Sequence, residues 1–217
     1  RVHATDWARS HVDERFRIHI LWFSNLSHKQ SGVGLARKIG MDEALRRFND
    51  VGCSSGILTC FDADCACDSN YLTSLESFFR DHPDAPGCSI YFEHPLDGPL
   101  DRKIYQAVVR YELHLRYYVQ GLRFSRFPHA HHTVGSSMAV RADAYRKQGG
   151  MNKRKAGEDF YFLQKIFPLG GFKDLTATRV IPSPRPSHRV PFGTGKSVRD
   201  HLKGETLSTY PFLAFLD

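Results

Sequence analysis

The sequence predicts an α/β layered domain with a mostly parallel central sheet, and two observations lead there. Short apolar runs bounded by turn residues alternate with longer amphipathic stretches along most of the chain, the pattern of strands joined by crossover helices. The 217 residues are also 41% hydrophobic, 12% aromatic and 24% charged, an ordinary globular composition that excludes collagen-like, coiled-coil and disordered chains. No apolar run approaches the roughly 18 residues of a membrane-spanning helix.

Buried strands are expected at 18–23, 56–61, 87–92, 136–140 and 175–181, where apolar and β-branched residues cluster between turn residues. Helical periodicity covers 33–48, 69–79, 104–122 and 158–167, the last stopping where Pro168 would break it. The long helix sets Ile104, Val108, Tyr111, Leu115, Tyr118 and Leu122 on one face, a face expected to pack on the sheet. The second reading of that helix is a membrane-surface element. It corresponds to a cytoplasmic protein with a peripheral contact at the inner face of the membrane. From residue 181 onward the chain is rich in proline, glycine and basic residues and reads as an ordered loop or lid, whose apolar end YPFLAF is expected either to dock on the domain or to continue into further sequence. The five cysteines all fall between positions 53 and 88; an odd, clustered set does not form a disulfide framework and suits a reducing compartment.

Charge is distributed unevenly. The net charge is +7, yet residues 51–100 carry eight acids and one base, leaving +14 for the rest. An acidic block in a basic protein suits a divalent cation meeting a phosphorylated ligand; the alternative is a dipolar surface. No helix-turn-helix, zinc-finger or RNP signature accompanies the basic balance, so a nucleic-acid partner is not expected.

Three stretches carry candidate chemistry. In GILTCFDADCACD (56–68) an apolar strand ends in Asp62-Ala63-Asp64, and Asp68-Ser69-Asn70 is expected to cap the next helix. Carboxylates at i and i+2 beyond a strand end can approach one hard cation, Mg²⁺ or Mn²⁺, together with substrate phosphates; alternatively they only form a turn. Cys65 and Cys67 lack a second ligand pair and do not make a zinc site. In the second stretch (149–167), Gly157-Glu158-Asp159 opens a helix. Acids are favoured there by the helix dipole alone, and a carboxylate so placed can also take a proton from a hydroxyl. In SPRPSHRVPFGTG (183–195), Arg185 and Arg189 suit a diphosphate and His188 could complete a metal shell; the alternative is a solvated basic loop. His131-His132 reads as a polar strand entry before it reads as a ligand pair.

Taken together and in order, these pieces resemble a family 2 glycosyltransferase of the GT-A fold, from about Ser31 to Gly195. GVGLARKIGMDEA (32–44) resembles the family's glycine-then-ARN helix, with Lys38 in place of the usual Asn. FDADC resembles its metal-binding motif, VGSSMAVRADAYRKQGGM (134–151) its small-residue strand and G-G-[FM] loop, and GEDFYFLQKI its E-D helix. The resemblance implies a Rossmann-like α/β/α sandwich forming one domain over 1–217, with 1–95 on the nucleotide and metal side and 96–217 on the acceptor side. It implies Mn²⁺ or Mg²⁺ held by Asp62, Asp64 and His188. A nucleotide-diphosphate sugar, UDP-linked by preference, would meet Arg37, Asp62, Ala63, Asp64, Arg185 and Arg189. Asp159 would be the general base for a glycan or other hydroxyl acceptor, with Glu158 orienting its neighbours, and the displacement would invert configuration. Residues 1–30 hold no P-x-Y-N or D-D-x-S pattern, so the family's first strand–helix–strand unit is expected upstream of this sequence. The alternatives are a noncatalytic nucleotide- or glycan-binding relative and a metal-dependent nucleotidyltransferase or phosphohydrolase.

Overall fold

The computed structural model describes residues 7–12, 16–27, 31–188, 193–205 and 207–215. Seven strands appear in chain order: β1 (Trp7–Val12), β2 (Arg17–Trp22), β3 (Ile57–Cys60), β4 (Ala66–Cys67), β5 (Gly87–Phe92), β6 (Met138–Arg141) and β7 (Lys173–Ile181). The helices are α1 (Val33–Asp50), α2 (Tyr71–Asp81), α3 (Arg102–Phe124), α4 (Ala142–Lys147), α5 (Glu158–Ile166) and α6 (Thr194–Leu202). A 3₁₀ turn at Phe167–Leu169 follows α5 where Pro168 ends it, and a second lies at Phe212–Phe215.

The architecture is α/β, but the expectation of a mostly parallel sheet is corrected. The main sheet has the order β3-β6-β5-β7-β4, and β5 with β7 is its only parallel neighbour pair among the described residues. After the long α3 the chain re-enters as β6, which inserts antiparallel between β3 and β5. The two-residue β4 pairs antiparallel with β7. Strands β3, β5 and β7 therefore share one direction, and their carboxyl ends lie at one edge of the sheet. Apolar runs mark where strands occur and carry no information on direction, which explains the difference. β1 and β2 form a separate antiparallel hairpin. The segment expected as a buried strand at 18–23 instead leaves Ile18, Ile20 and Trp22 exposed.

The sheet is covered on both faces, as the alternation of side chains along β6 makes plain. Met138 and Val140 point into a core with Met41 of α1, Tyr145 of α4 and Phe162, Leu163 and Ile166 of α5. Ala139 between them points the other way, into a core with Tyr71, Leu75, Phe78 and Phe79 of α2 and Ile90 and Phe92 of β5. Strands from both expected halves, 1–95 and 96–217, are thus interleaved in one sheet. The apolar face of α3 does not lie wholly on the sheet: Leu115 packs there, whereas Val108 and Ile104 pack on Val198 of α6. The expected side-chain cap on α2 is also absent, since Asn70 Nδ2 donates instead to the carbonyl of Ala177 at 2.9 Å. Among the described residues no helix is long and apolar enough to cross a membrane, and all five cysteines are free.

Phe162 is fully buried at the centre of the α1–α4–α5 core. Phe162→Ala should cost about 3–5 kcal/mol of unfolding free energy, read as a lower urea midpoint at unchanged slope. A loss under 1 kcal/mol would mean that this core is not packed as described.

Candidate functional site

The edge where β3, β5 and β7 end opens into a cleft of about 2150 Å³, walled by 61–65 after β3, Phe92 and His94 of the β5 end, 131–136 leading into β6, and Pro182, Ser183 and Arg185 after β7. The first turn of α5, the Arg37 turn of α1 and the Tyr111–Tyr118 side of α3 complete it. Carboxyl ends of strands are where ligands gather in α/β sheets.

Asp62-Ala63-Asp64-Cys65 is a turn closed by the Cys65 amide on the Asp62 carbonyl at 3.0 Å, which sends both carboxylates into the cleft. Across from it, Gly157 takes the left-handed conformation at φ 67° as the N-cap of α5, a geometry glycine adopts at least cost. Glu158 and Asp159 then fall in the first helical turn. Glu158 is only 2% exposed, while Asp159 borders the cleft and accepts the Phe160 amide at 2.8 Å.

One side chain joins the two acidic motifs. Arg37 donates through Nη2 to Asp62 Oδ1 at 2.7 Å and through Nη1 to Glu158 Oε1. Glycine lets backbone pass closely on both sides: a Cβ on Gly135 would collide with the Arg37 guanidinium, and one on Gly34 with the Arg154 carbonyl. Side chains at those two positions would push α1 away from the cleft floor.

The electrostatics follow from burial. Desolvation holds the carboxyls of both Glu158 and Asp159 above their ordinary range; Arg37 opposes this at both, and the Phe160 and Gly135 amides oppose it at Asp159. Burial also pushes the Cys65 thiol up and the deeper Cys60 thiol to about 12, so both remain protonated at neutral pH. His132, set edge-on to Phe92, is driven down to about 4 by burial and is neutral. Its neighbour His131 pairs with Asp174 at 2.8 Å.

Among the described residues, the group close enough to share an ion is Asp62, Asp64 and Cys65, with ligand atoms within 4.8 Å of one another. Two carboxylates beside a neutral thiol suit a hard cation of the Mg²⁺ or Mn²⁺ kind rather than zinc. Each carboxylate already meets a guanidinium: Arg185 donates to Asp64 Oδ2 at 2.7 Å through Nε and lies 2.6 Å away through Nη2. The described contacts thus take Oδ1 of Asp62 and Oδ2 of Asp64 and leave the other oxygen of each for a cation. His188 borders the cleft but is outside this group, its Nδ1 facing Arg199 Nη1 at 3.3 Å. Arg189 lies outside the described residues.

Sequence reasoning missed the buried His94. Its Nδ1 meets Glu112 Oε2 at 2.7 Å and its Nε2 meets Thr194 Oγ1 at 3.0 Å, while Arg116 of α3 binds the same Glu112 and the Phe92 carbonyl. Glu112 is held down at about 2 by its hydrogen bonds from His94 and Arg116, which outweigh its burial. Partners 18 and 100 residues apart leave no local pattern to read.

The chain matches no protein-family model and no curated protein.

Arg37→Met would strand Glu158 in a buried site, costing about 3 kcal/mol at pH 8. Without the guanidinium, the folded-state pKa of Glu158 rises further above its unfolded value. The native state then holds the extra proton, and stability falls as pH climbs from the ordinary carboxylate range through that raised value. The deficit relative to the parent should therefore be smaller at pH 5 than at pH 8 in urea titrations. An equal deficit at both would exclude Glu158 as the charged partner.

Proposed function

We propose that the chain is a metal-dependent, inverting glycosyltransferase acting on a nucleotide-diphosphate sugar, in keeping with the GT-A resemblance of its motifs. The observation that carries this reading is a single cleft at the carboxyl edge of β3, β5 and β7 with Asp62 and Asp64 on one wall and Glu158-Asp159 on another, joined through Arg37.

Asp62 and Asp64 are the residues that would hold Mg²⁺ or Mn²⁺, whose chemistry when bound is to offset the charge of a departing diphosphate. Arg185 stands where it can exchange its carboxylate partner for a phosphate oxygen, a geometry that guanidinium groups match well. Asp159 is the general base. Burial raises its proton affinity toward the working range, and its place beside the cleft lets it receive the proton of an acceptor hydroxyl. As that oxygen bonds to the anomeric carbon, the carbon–diphosphate bond breaks on the opposite side and configuration inverts. Glu158, paired with Arg37, holds the α5 turn against the Asp62 turn and does not itself need to touch substrate.

A noncatalytic nucleotide- or glycan-binding relative is the second reading, favoured by the arginine already on each carboxylate of the D-x-D turn.

Calorimetric titration of UDP and then GDP, with and without Mn²⁺, tests the donor site, and metal-dependent binding is expected. Asp159→Asn should lower transfer by about 10²–10⁴ while leaving that binding nearly intact; equal loss of both would remove Asp159 as base. Arg185→Ala should move two affinities in opposite directions. Mn²⁺ alone should bind about two- to five-fold more tightly once an exposed competing ion pair is gone, whereas UDP with Mn²⁺ should bind more weakly. Transfer by none of the proteins, with donor binding preserved in all, would select the noncatalytic reading.

A further inference from the structure

The side of α3 turned away from the cleft carries apolar side chains that the fold does not cover. Leu113 is 61% exposed and Phe124 59%, and with Tyr117 they occupy one outward arc. At 3.6 residues per turn this arc lies roughly 130° round the helix from the cleft-lining Tyr111 and Tyr118. The C-terminal 3₁₀ turn extends it. Phe212 packs against Phe124 with ring centroids 5.2 Å apart and is still 51% exposed, and its neighbour Leu213 is 70% exposed. The docked ring of Phe215 contacts Tyr117 at 5.8 Å. The result is one contiguous exposed apolar surface across two elements, which on a soluble domain marks an interaction site.

The charge around this surface selects its occupant. Arg102, Lys103 and Arg110 lie exposed on the same side of α3, and Arg126 follows at its end. Of the neighbouring acids, Asp101, Glu112 and Asp174 are already engaged, and Asp97 stands exposed ahead of the helix. Asp101 caps the helix through the Lys103 amide, Glu112 binds His94 and Arg116 on the inner side, and Asp174 holds Arg123 and His131. Apolar side chains on the C-terminal half of a helix about 34 Å long, with cations on its N-terminal half and just past its end, complement an anionic lipid surface, where the former enter the headgroup boundary and the latter meet lipid phosphates. The apolar half of this face offers nothing to a nucleic acid.

We propose that the outward face of α3, with the 3₁₀ turn at Phe212–Phe215, seats the protein on an anionic bilayer surface. The inference is independent of the glycosyl-transfer reading, because none of its residues belongs to the D-x-D turn or to the first turn of α5. If both hold, the helix that rests on the lipid also walls the cleft, and an acceptor anchored in that bilayer would be within reach of it.

The test is co-sedimentation of the full chain with phosphatidylcholine vesicles, plain or with about one third phosphatidylglycerol. Binding at least tenfold stronger to the anionic vesicles is expected, weakening as salt is raised. The double variant Leu113→Glu/Phe124→Glu changes only exposed positions and should keep the parent's circular dichroism and its UDP–Mn²⁺ behaviour while losing vesicle binding. Arg102→Gln/Arg110→Gln should lose the preference for anionic vesicles and keep the fold. Background sedimentation of the parent, or undiminished binding by the Leu113/Phe124 variant, would overturn the proposal. So would a dimer seen by light scattering that the same variant abolishes without any vesicle binding, which would assign the face to a second copy.

Discussion

A guanidinium withdrawn from water beneath the cleft is the constraint around which the molecule is arranged. Arg37 pays a desolvation penalty that only opposite charge can offset, and it finds that charge in Asp62 and Glu158, 25 and 121 residues away. Three elements must meet for the pair to form: the second turn of α1, the turn leaving β3 and the first turn of α5. Each shows the adjustment this demands. Gly34 lets α1 approach the backbone of 152–154, Gly135 lets the entry to β6 pass under the guanidinium, and Gly157 turns the chain so that Glu158 points inward. Loss of Arg37 leaves the buried Glu158 carboxylate uncompensated, whereas loss of either acid still leaves the guanidinium one carboxylate, so the set depends most on the arginine.

That arrangement separates the parts of the molecule visible in the amino-acid sequence from those that are not. The β5 strand and the starts of α1 and α5 coincide with the apolar runs and glycine breaks that announce them, because those signals are local. The acids of 62–64 and 158–159 likewise stand out by type and position. Strand direction depends on how the chain returns after α3, and nothing in the apolar run of 138–141 records that it enters between β3 and β5. The periodicity of α3 is real but ambiguous for the same reason. A helix long enough to have a sheet side, an α6 side and a cleft side shows one broad stripe, and which part of it meets which neighbour is a tertiary outcome. Arg37 itself could be marked only by motif resemblance, since its two partners lie far away in the chain.

The uneven charge of the chain acquires a concrete meaning here. Four of the eight acids of 51–100 are met by arginines from outside that block: Asp62 by Arg37, Asp64 by Arg185, and Asp68 with Glu93 by Arg179. The block is thus a set of folding partners as much as a cation trap. These pairs differ in exposure and hence in function. The Arg37 guanidinium is withdrawn from water and also holds the buried Glu158, so its pair with Asp62 reads as permanent structure although the Asp62 carboxylate is as open as that of Asp64, whereas both partners of the Arg185–Asp64 pair are half exposed, and such pairs are worth little on their own. An exposed pair is readily exchanged for a stronger partner, which places the adjustable half of the D-x-D turn at Asp64 and the fixed half at Asp62.

The His94 network extends the same logic to the far wall. His94 at the end of β5 binds Glu112 of α3 and Thr194 at the start of α6, and Arg116 closes the circuit on Glu112 and the Phe92 carbonyl. Glu112 accepts from an imidazole, a backbone amide and a guanidinium, so its charge is satisfied without solvent. The effect is mechanical: the sheet edge, α3 and α6 are tied at one point, and Gly193–Ser197, which follow the basic loop, are brought to the cleft. Arg37 thus joins the two acidic motifs on one side, and His94 sets the distance to α3 and α6 on the other. With both sides held by buried, hydrogen-bonded charge, the parts left free to respond to a ligand are those in partial contact with water, Asp64, Arg185 and the rim of Asp159.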